Sequence, residues 1–163
     1  MTGMEDSCGG SAEGASTIYG VLDALTGTLV ERLDADGANI SRVIGELLVD
    51  LVAYSPNGRT LQLGRSFLLS DYPLTREVIE LQDARTVWVH DPAADPNEVS
   101  LLRELGFESL LMLPLVVEST PWALVEIYRE SGRAFGAAEI DPARELVARA
   151  TARLEQLQRP AAA

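Results

Sequence analysis

His90 is the only histidine in the chain, and it lies in the run Val87-Trp-Val-His90-Asp91-Pro92. An imidazole beside a carboxylate could orient a ligand or bind a haem iron. The simpler reading is a histidine at a strand end, hydrogen-bonded to Asp91 or to backbone, so no stable haem complex is expected. Asp91, Asp95 and Glu98 follow closely enough to suggest a divalent cation. Their spacing lacks the alternating ligands of a calcium loop, however, and helix capping already accounts for two of them. No metal is expected there. The sequence also has no Gly-rich phosphate cradle before a helix, no nucleophile elbow and no pair of histidines at metal spacing. The chain is therefore not expected to be an enzyme.

The elements that must position these residues follow from punctuation and periodicity. Residues 1 to 16 are Gly, Ser, Glu and Asp with little that is apolar, and read as a disordered leader. Ile18, Leu22, Leu25, Leu29 and Leu33 form one helical stripe, which Asp34-Ala-Asp-Gly37 ends. Asn39 to Gly45 and Glu46 to Ser55 read as strands, as do Thr60 to Ser70 and Thr86 to His90. A short helix spans Leu74 to Leu81 after Pro73. Asp95-Pro-Asn-Glu98 has the form of a capping box with proline at the first helical position, and opens a helix that Gly106 closes. Two apolar runs, Leu110 to Val117 and Trp122 to Tyr128, are separated only by Glu118-Ser-Thr-Pro121 and read as the hairpin at the centre of a sheet. Ile140, Ala143, Val147, Ala150, Leu154 and Leu157 recur at three and four residues. That narrow seam suits either a helical bundle or the covering of a sheet, and Pro142 suggests that the regular helix starts at Asp141.

Composition bounds the function. A chain of 163 residues with 47% hydrophobic content fits one domain with a real core. A formal charge of −12 disfavours nucleic acid and anionic membrane surfaces as partners. The thirteen basic residues are all Arg, which points to a bacterial genome rich in G and C. Cys8 is the only cysteine and cannot form an internal disulfide. With no signal segment and no apolar stretch long enough to span a membrane, a cytoplasmic location is expected.

The order of pieces resembles a GAF domain. The hairpin at 110 to 128 is preceded by Leu68-Leu-Ser-Asp-Tyr-Pro-Leu-Thr75, then Thr86-Val-Trp-Val-His-Asp-Pro92, then a short helix ending at Gly106. The resemblance implies an α+β domain over residues 17 to 158, with a tail at 159 to 163. It would hold a single antiparallel sheet of about six strands, N- and C-terminal helices on one face and short pocket-forming helices on the other. It further implies a signalling module that binds a small molecule and reports through its terminal helices. The alternative is a ligand-free interaction or dimerisation domain. The pocket residues implied are Ser70, Asp71, Tyr72, Thr75, His90, Asp91, Leu101, Ser109 and Met112. Ser70, Asp71, Tyr72 and Thr75 would offer hydroxyls and a carboxylate to a small polar ligand. Without a ligand, Pro73 would set the turn, Thr75 would cap the helix and Tyr72 would pack. The first and last helices of such domains commonly build a homodimer, which here would use Ile18, Leu22, Leu25, Leu29, Val147, Ala150, Leu154 and Leu157. A signalling partner protein is also implied. Known subtypes fit poorly: the absence of lysine breaks the cyclic-nucleotide signature, Cys8 in the leader argues against a covalently held bilin, and one cysteine is too few for methionine sulfoxide reduction. The cofactor is left unassigned.

Overall fold

The computed structural model describes residues 15–58 and 66–159. The expected leader up to residue 14, residues 59–65, which include the first part of the strand expected from Thr60 to Ser70, and the tail from 160 lie outside the described residues. Element order is α1 (Ile18–Leu33), β1 (Gly37–Ile44), β2 (Leu47–Tyr54), β3 (Ser66–Leu68), a 3-10 turn at Leu69–Asp71, α2 (Pro73–Leu81), β4 (Arg85–Trp88), α3 (Pro96–Leu105), β5 (Ser109–Val117), β6 (Thr120–Arg129) and α4 (Ala137–Gln158). Among the described residues six strands form one sheet in the order β3-β2-β1-β6-β5-β4. Every pairing is antiparallel.

The β5–β6 hairpin is interior to the sheet, as its apolar composition requires. Its turn is tighter than the sequence suggests, because Val117 pairs with Thr120 across Glu118 and Ser119. Both turn residues have positive φ, 48° and 66°. That geometry matches the twist of the flanking strands although neither residue is glycine. At α3, Gly106 adopts φ 80° and its amide bonds the Arg103 carbonyl, while Phe107 N reaches Leu102 O. This left-handed turn swings Phe107 under Tyr128, with ring centroids 4.8 Å apart.

Alternation along the strands separates two cores. Ala38, Ile40, Leu111, Leu113, Val125 and Ile127 face α1 and α4, whereas Leu48, Leu110, Met112, Leu124 and Tyr128 belong to the cluster that includes Val78 and Ile79 of α2 and Leu102 of α3. The terminal helices run antiparallel. Arg153 Nε donates to Ala15 O at 2.8 Å at one end, and Arg129 Nη2 donates to Leu33 O at 2.7 Å at the other.

Two expectations about these helices need correction. Leu22, Leu25, Leu29, Val147, Ala150 and Leu154, assigned above to an intersubunit seam, are buried inside one subunit, and Leu29, Ala150 and Leu154 keep no exposed surface. Each narrow stripe suffices because the two helices share one layer and cover each other as well as the sheet. Of the other residues assigned to that seam, Leu157 is half-buried against this core and Ile18 is 38% exposed. Helix α4 also starts earlier than Pro142 suggested, at Ala137. Glu139 N and Ile140 N both bond Gly136 O, and Glu139 Oε2 accepts from Gly136 N, so the opening turn is closed before the proline is reached.

Candidate functional site

A cavity of about 50 Å³ lies on the sheet face opposite the terminal helices. Its floor is β1, β2 and β6, which supply Asn39, Ser41, Asp50 and Glu126. Thr75 of α2 and Glu98, Leu101 and Leu105 of α3 cover it, with Phe67, Tyr72, Leu48, Ala53 and Tyr128 completing the walls. Asp50 reaches it through a β-bulge. Ile40 pairs with Val52 but Ser41 pairs with Asp50, so Leu51 is left over and the register shifts by one residue. The shift lets Asp50 face the cavity with Leu48 while Val52, two residues on, faces the terminal helices.

The polar groups converge. Asp50 Oδ1 accepts from Ser41 Oγ at 2.7 Å and from Asn39 Nδ2 at 3.0 Å. Asn39 Nδ2 also lies 3.4 Å from Glu126 Oε2. Glu98 is buried to 1% exposure, and its carboxyl accepts a short hydrogen bond from Thr75 Oγ1, which sits 3.5 Å from Met112 Sδ. Burial raises the Glu98 carboxyl above the ordinary carboxylate range, against the lowering effect of the Thr75 bond. Glu126 is pushed up to about 8, first by burial and then by the nearby Glu98 and Asp50 charges. Burial and Glu126 likewise raise the Tyr128 hydroxyl. The raised pKa of Glu126 favours its protonated form at neutral pH.

Glu98 corrects the capping-box expectation. Asp95 Oδ1 does accept from Asn97 N and Glu98 N, at 3.0 and 3.1 Å, but the Glu98 side chain turns into the cavity instead of back to the cap. Replacing Thr75 with Val keeps the shape and removes the donor, leaving a buried carboxyl short of a partner. The expected cost is about 1–3 kcal/mol, measured by urea unfolding at pH 7.

Of the nine residues expected around one pocket, Tyr72, Thr75 and Leu101 line it and Met112 lies beneath Thr75. Ser70 and Asp71 belong to a shallow depression on the outside, and Tyr72 and Leu101 are shared between the two. Asn97 Nδ2 ties the wall together by donating to Asp71 O at 2.9 Å. His90, Asp91 and Ser109 are elsewhere. Strand β4 ends at Trp88, so His90 sits in a turn, 54% exposed at its side chain, with Nε2 3.4 Å from Glu108 Oε2. Asp91 bonds Ala93 N within that turn, and Ser109 Oγ donates to Arg133 O at the far end of β5. No group of three His, Cys, Asp or Glu side chains among the described residues is placed to hold a metal ion. Asn39, Ser41, Asp50, Glu126 and Tyr128 were not singled out from the sequence; the signal that could have found them is polar residues in strands whose two faces are both covered.

The model of the GAF domain family matches residues 18–154. The chain belongs to the GAF domain family. Its fold is similar to the phycocyanobilin-bound GAF domain from a cyanobacterial phytochrome, with a TM-score of 0.75 and 17% identity over 86% of each chain. It also resembles the GAF domain/HD domain protein from Geobacter sulfurreducens, with a TM-score of 0.73 and 16% identity, covering 91% of this chain and 99% of that one. The bacteriophytochrome RpBphP3 from R. palustris gives a TM-score of 0.79 at 10% identity, over 90% of this GAF domain but 35% of the larger chain. No curated protein matches the sequence significantly. At these identities the shared property is the fold. Among the described residues, no helix is long and apolar enough to cross a membrane.

Proposed function

We propose that this GAF domain is a sensory or regulatory module, not an enzyme, that takes a small molecule into the cavity and reports its presence through α1 and α4. The observation that carries this is the double role of β6. Its Glu126 and Tyr128 line the cavity, while Val125 and Ile127 between and before them pack in the core beneath the terminal helices. At the strand's end Arg129 Nη2 holds Leu33 O of α1 and approaches Glu139 Oε1 of α4, at 2.7 and 3.5 Å, and its guanidinium lies over Phe135. A shift of β6 is therefore transmitted to both helices at once. A downstream protein or a second copy would read the outer faces of these helices, since their inner seam is occupied.

The phycocyanobilin named for the phytochrome neighbour does not fit here. Drug-sized ligands occupy roughly 300–1,000 Å³, far more than this cavity offers. The propionates of a bilin would also meet three carboxyls, with no cationic side chain among the described lining residues. Room for a few waters or a few ligand atoms is what remains. That small size favours the second reading, an interaction domain without a ligand.

Native mass spectrometry of freshly purified protein, set beside its denatured mass, separates the two. The sensory reading expects a low-mass adduct that the cavity-filling change Ala53→Leu removes, and hydrogen exchange in α1 and α4 that differs between loaded and empty protein. Equal native and denatured masses, with exchange insensitive to Ala53→Leu, would leave the interaction domain as the function.

A further inference from the structure

We propose that the ligand of this cavity is a small organic cation, an ammonium or amidinium group, held among the carboxyls of Asp50, Glu98 and Glu126. The inference rests on the cavity being a ligand site, as proposed above. These three acidic side chains arrive from three separate elements, β2, α3 and β6, and no described residue of the lining is basic. The donors that serve them are few. Ser41 and Asn39 serve Asp50, Thr75 serves Glu98, and Glu126 has Asn39 Nδ2 at 3.4 Å and the Tyr128 hydroxyl. An ionised carboxylate presents about four lone-pair sites, so once Glu126 has given up its proton acceptors outnumber donors.

Glu98 makes the imbalance sharper. The residue lines the cavity and is 1% exposed, yet Thr75 is the one described residue that donates a hydrogen bond to its carboxyl. A buried carboxyl short of donors costs free energy, and a ligand rich in N–H groups would supply them. Donors and positive charge are thus the two properties the site lacks, and an alkylammonium or guanidinium ion carries both. No group of three His, Cys, Asp or Glu side chains among the described residues is placed to hold a bare metal ion. Leu48, Ala53 and Leu105 give a short alkyl portion an apolar wall. The cavity volume of about 50 Å³ limits the buried part to a few heavy atoms.

Charge linkage supplies a signature. In the empty cavity Glu126 holds its proton up to about 8; Glu98 from α3 and Asp50 from β2 face it, while β1, β5 and α2 contribute the uncharged Asn39, Met112 and Thr75. A cation binds to the ionised form. Its apparent affinity should therefore rise by up to about tenfold per pH unit from pH 6 to 8 and level off above that.

The test is titration of the ¹⁵N-labelled full chain with millimolar guanidinium chloride and methylammonium chloride, with urea, sodium chloride and sodium acetate as comparators. Amide shifts in β1, β2 and β6 should saturate with at least one of the two cations. Affinity should be at least about tenfold weaker at pH 6 than at pH 8, and at least about tenfold weaker in Glu126→Gln at pH 8. Asp50→Asn, a second isosteric change, should weaken binding as well. Urea saturating as well as guanidinium, or acetate saturating in place of both cations, would overturn the cation assignment while leaving the cavity a ligand site. Failure of both cations to saturate at pH 8 would also overturn it, and the broader sensory reading would then be decided separately by the native and denatured masses.

Discussion

Leu154→Glu is expected to unfold the domain instead of dividing a dimer into folded monomers. Leu154 has no exposed surface and shares one core with Leu22, Leu25, Leu29 and Val147, all from the same chain. Truncating such a leucine to alanine costs about 2–5 kcal/mol by itself. A carboxylate in its place adds the cost of a charge set among apolar side chains. The sum is comparable with the 5–15 kcal/mol that ordinarily holds a domain of this kind together. Circular dichroism should show loss of helix and strand signal together, and sedimentation velocity an expanded or aggregated species. Ala152→Glu, on the exposed side of the same helix, should change stability by no more than about 0.5 kcal/mol. A well-folded Leu154→Glu monomer obtained from a dimeric parent would mean that the seam is an intersubunit contact after all.

The seam shows what spacing can and cannot say. Ile18 to Leu33 and Ala143 to Leu157 fixed the existence and the inner faces of both helices, and the pairing of α1 with α4 on one side of the sheet is as the resemblance implied. Periodicity names the face to be covered but not its cover. Two helices lying side by side on one sheet need only narrow stripes, because each hides part of the other. The same holds at Pro142: a missing amide is an obstacle only where no earlier turn has closed, and here Glu139 and Gly136 close it.

The cavity was less legible, for a reason visible in β2. Alternation puts Leu48, Asp50 and Val52 on one face, and nothing in those residue types announces that Leu51 is bulged. That one-residue slip sends Val52 to the helix core while Leu48 and Asp50 stay on the cavity face. Glu126 was hidden differently. A lone carboxylate among Val125, Ile127 and Tyr128 reads as a solvent-facing position, yet β6 is an interior strand whose other face is roofed by α2 and α3. The reading of Tyr72, Thr75 and Leu101 came from the order of the pieces, which fixes the roof. The carboxyls come from the floor, which depends on register. His90, by contrast, attracted attention for its chemistry alone, and it sits largely exposed beside Glu108, outside the cavity lining.

Glu126→Gln should make the domain more stable at pH 8 and hardly change it at pH 4.5. The folded-state carboxyl titrates near 8 and the unfolded one near 4.5, so between those values folding takes up a proton. Stability must therefore fall as pH rises through this window, by at most about 1.4 kcal/mol per unit for this one group. Below 4.5 both states are protonated and the penalty is absent; above 8 both are ionised and it is complete, on the order of 3–5 kcal/mol with allowance for water in the cavity. Glutamine keeps the shape and can still meet Asn39 and Tyr128, but it carries no charge to bury. The groups whose carboxyls are lowered, Glu46, Asp83 and Glu139, gain their effect below this window and are common to both proteins. Urea unfolding at half-unit steps from pH 4.5 to 8.5 should then give two curves that meet at the acid end and diverge steadily toward the alkaline end. Parallel curves would show that Glu126 ionises as freely in the folded protein as in the unfolded chain. In that case water or a bound cation already compensates its charge, and saturating the protein with guanidinium chloride at low millimolar concentration should not move the wild-type curve further.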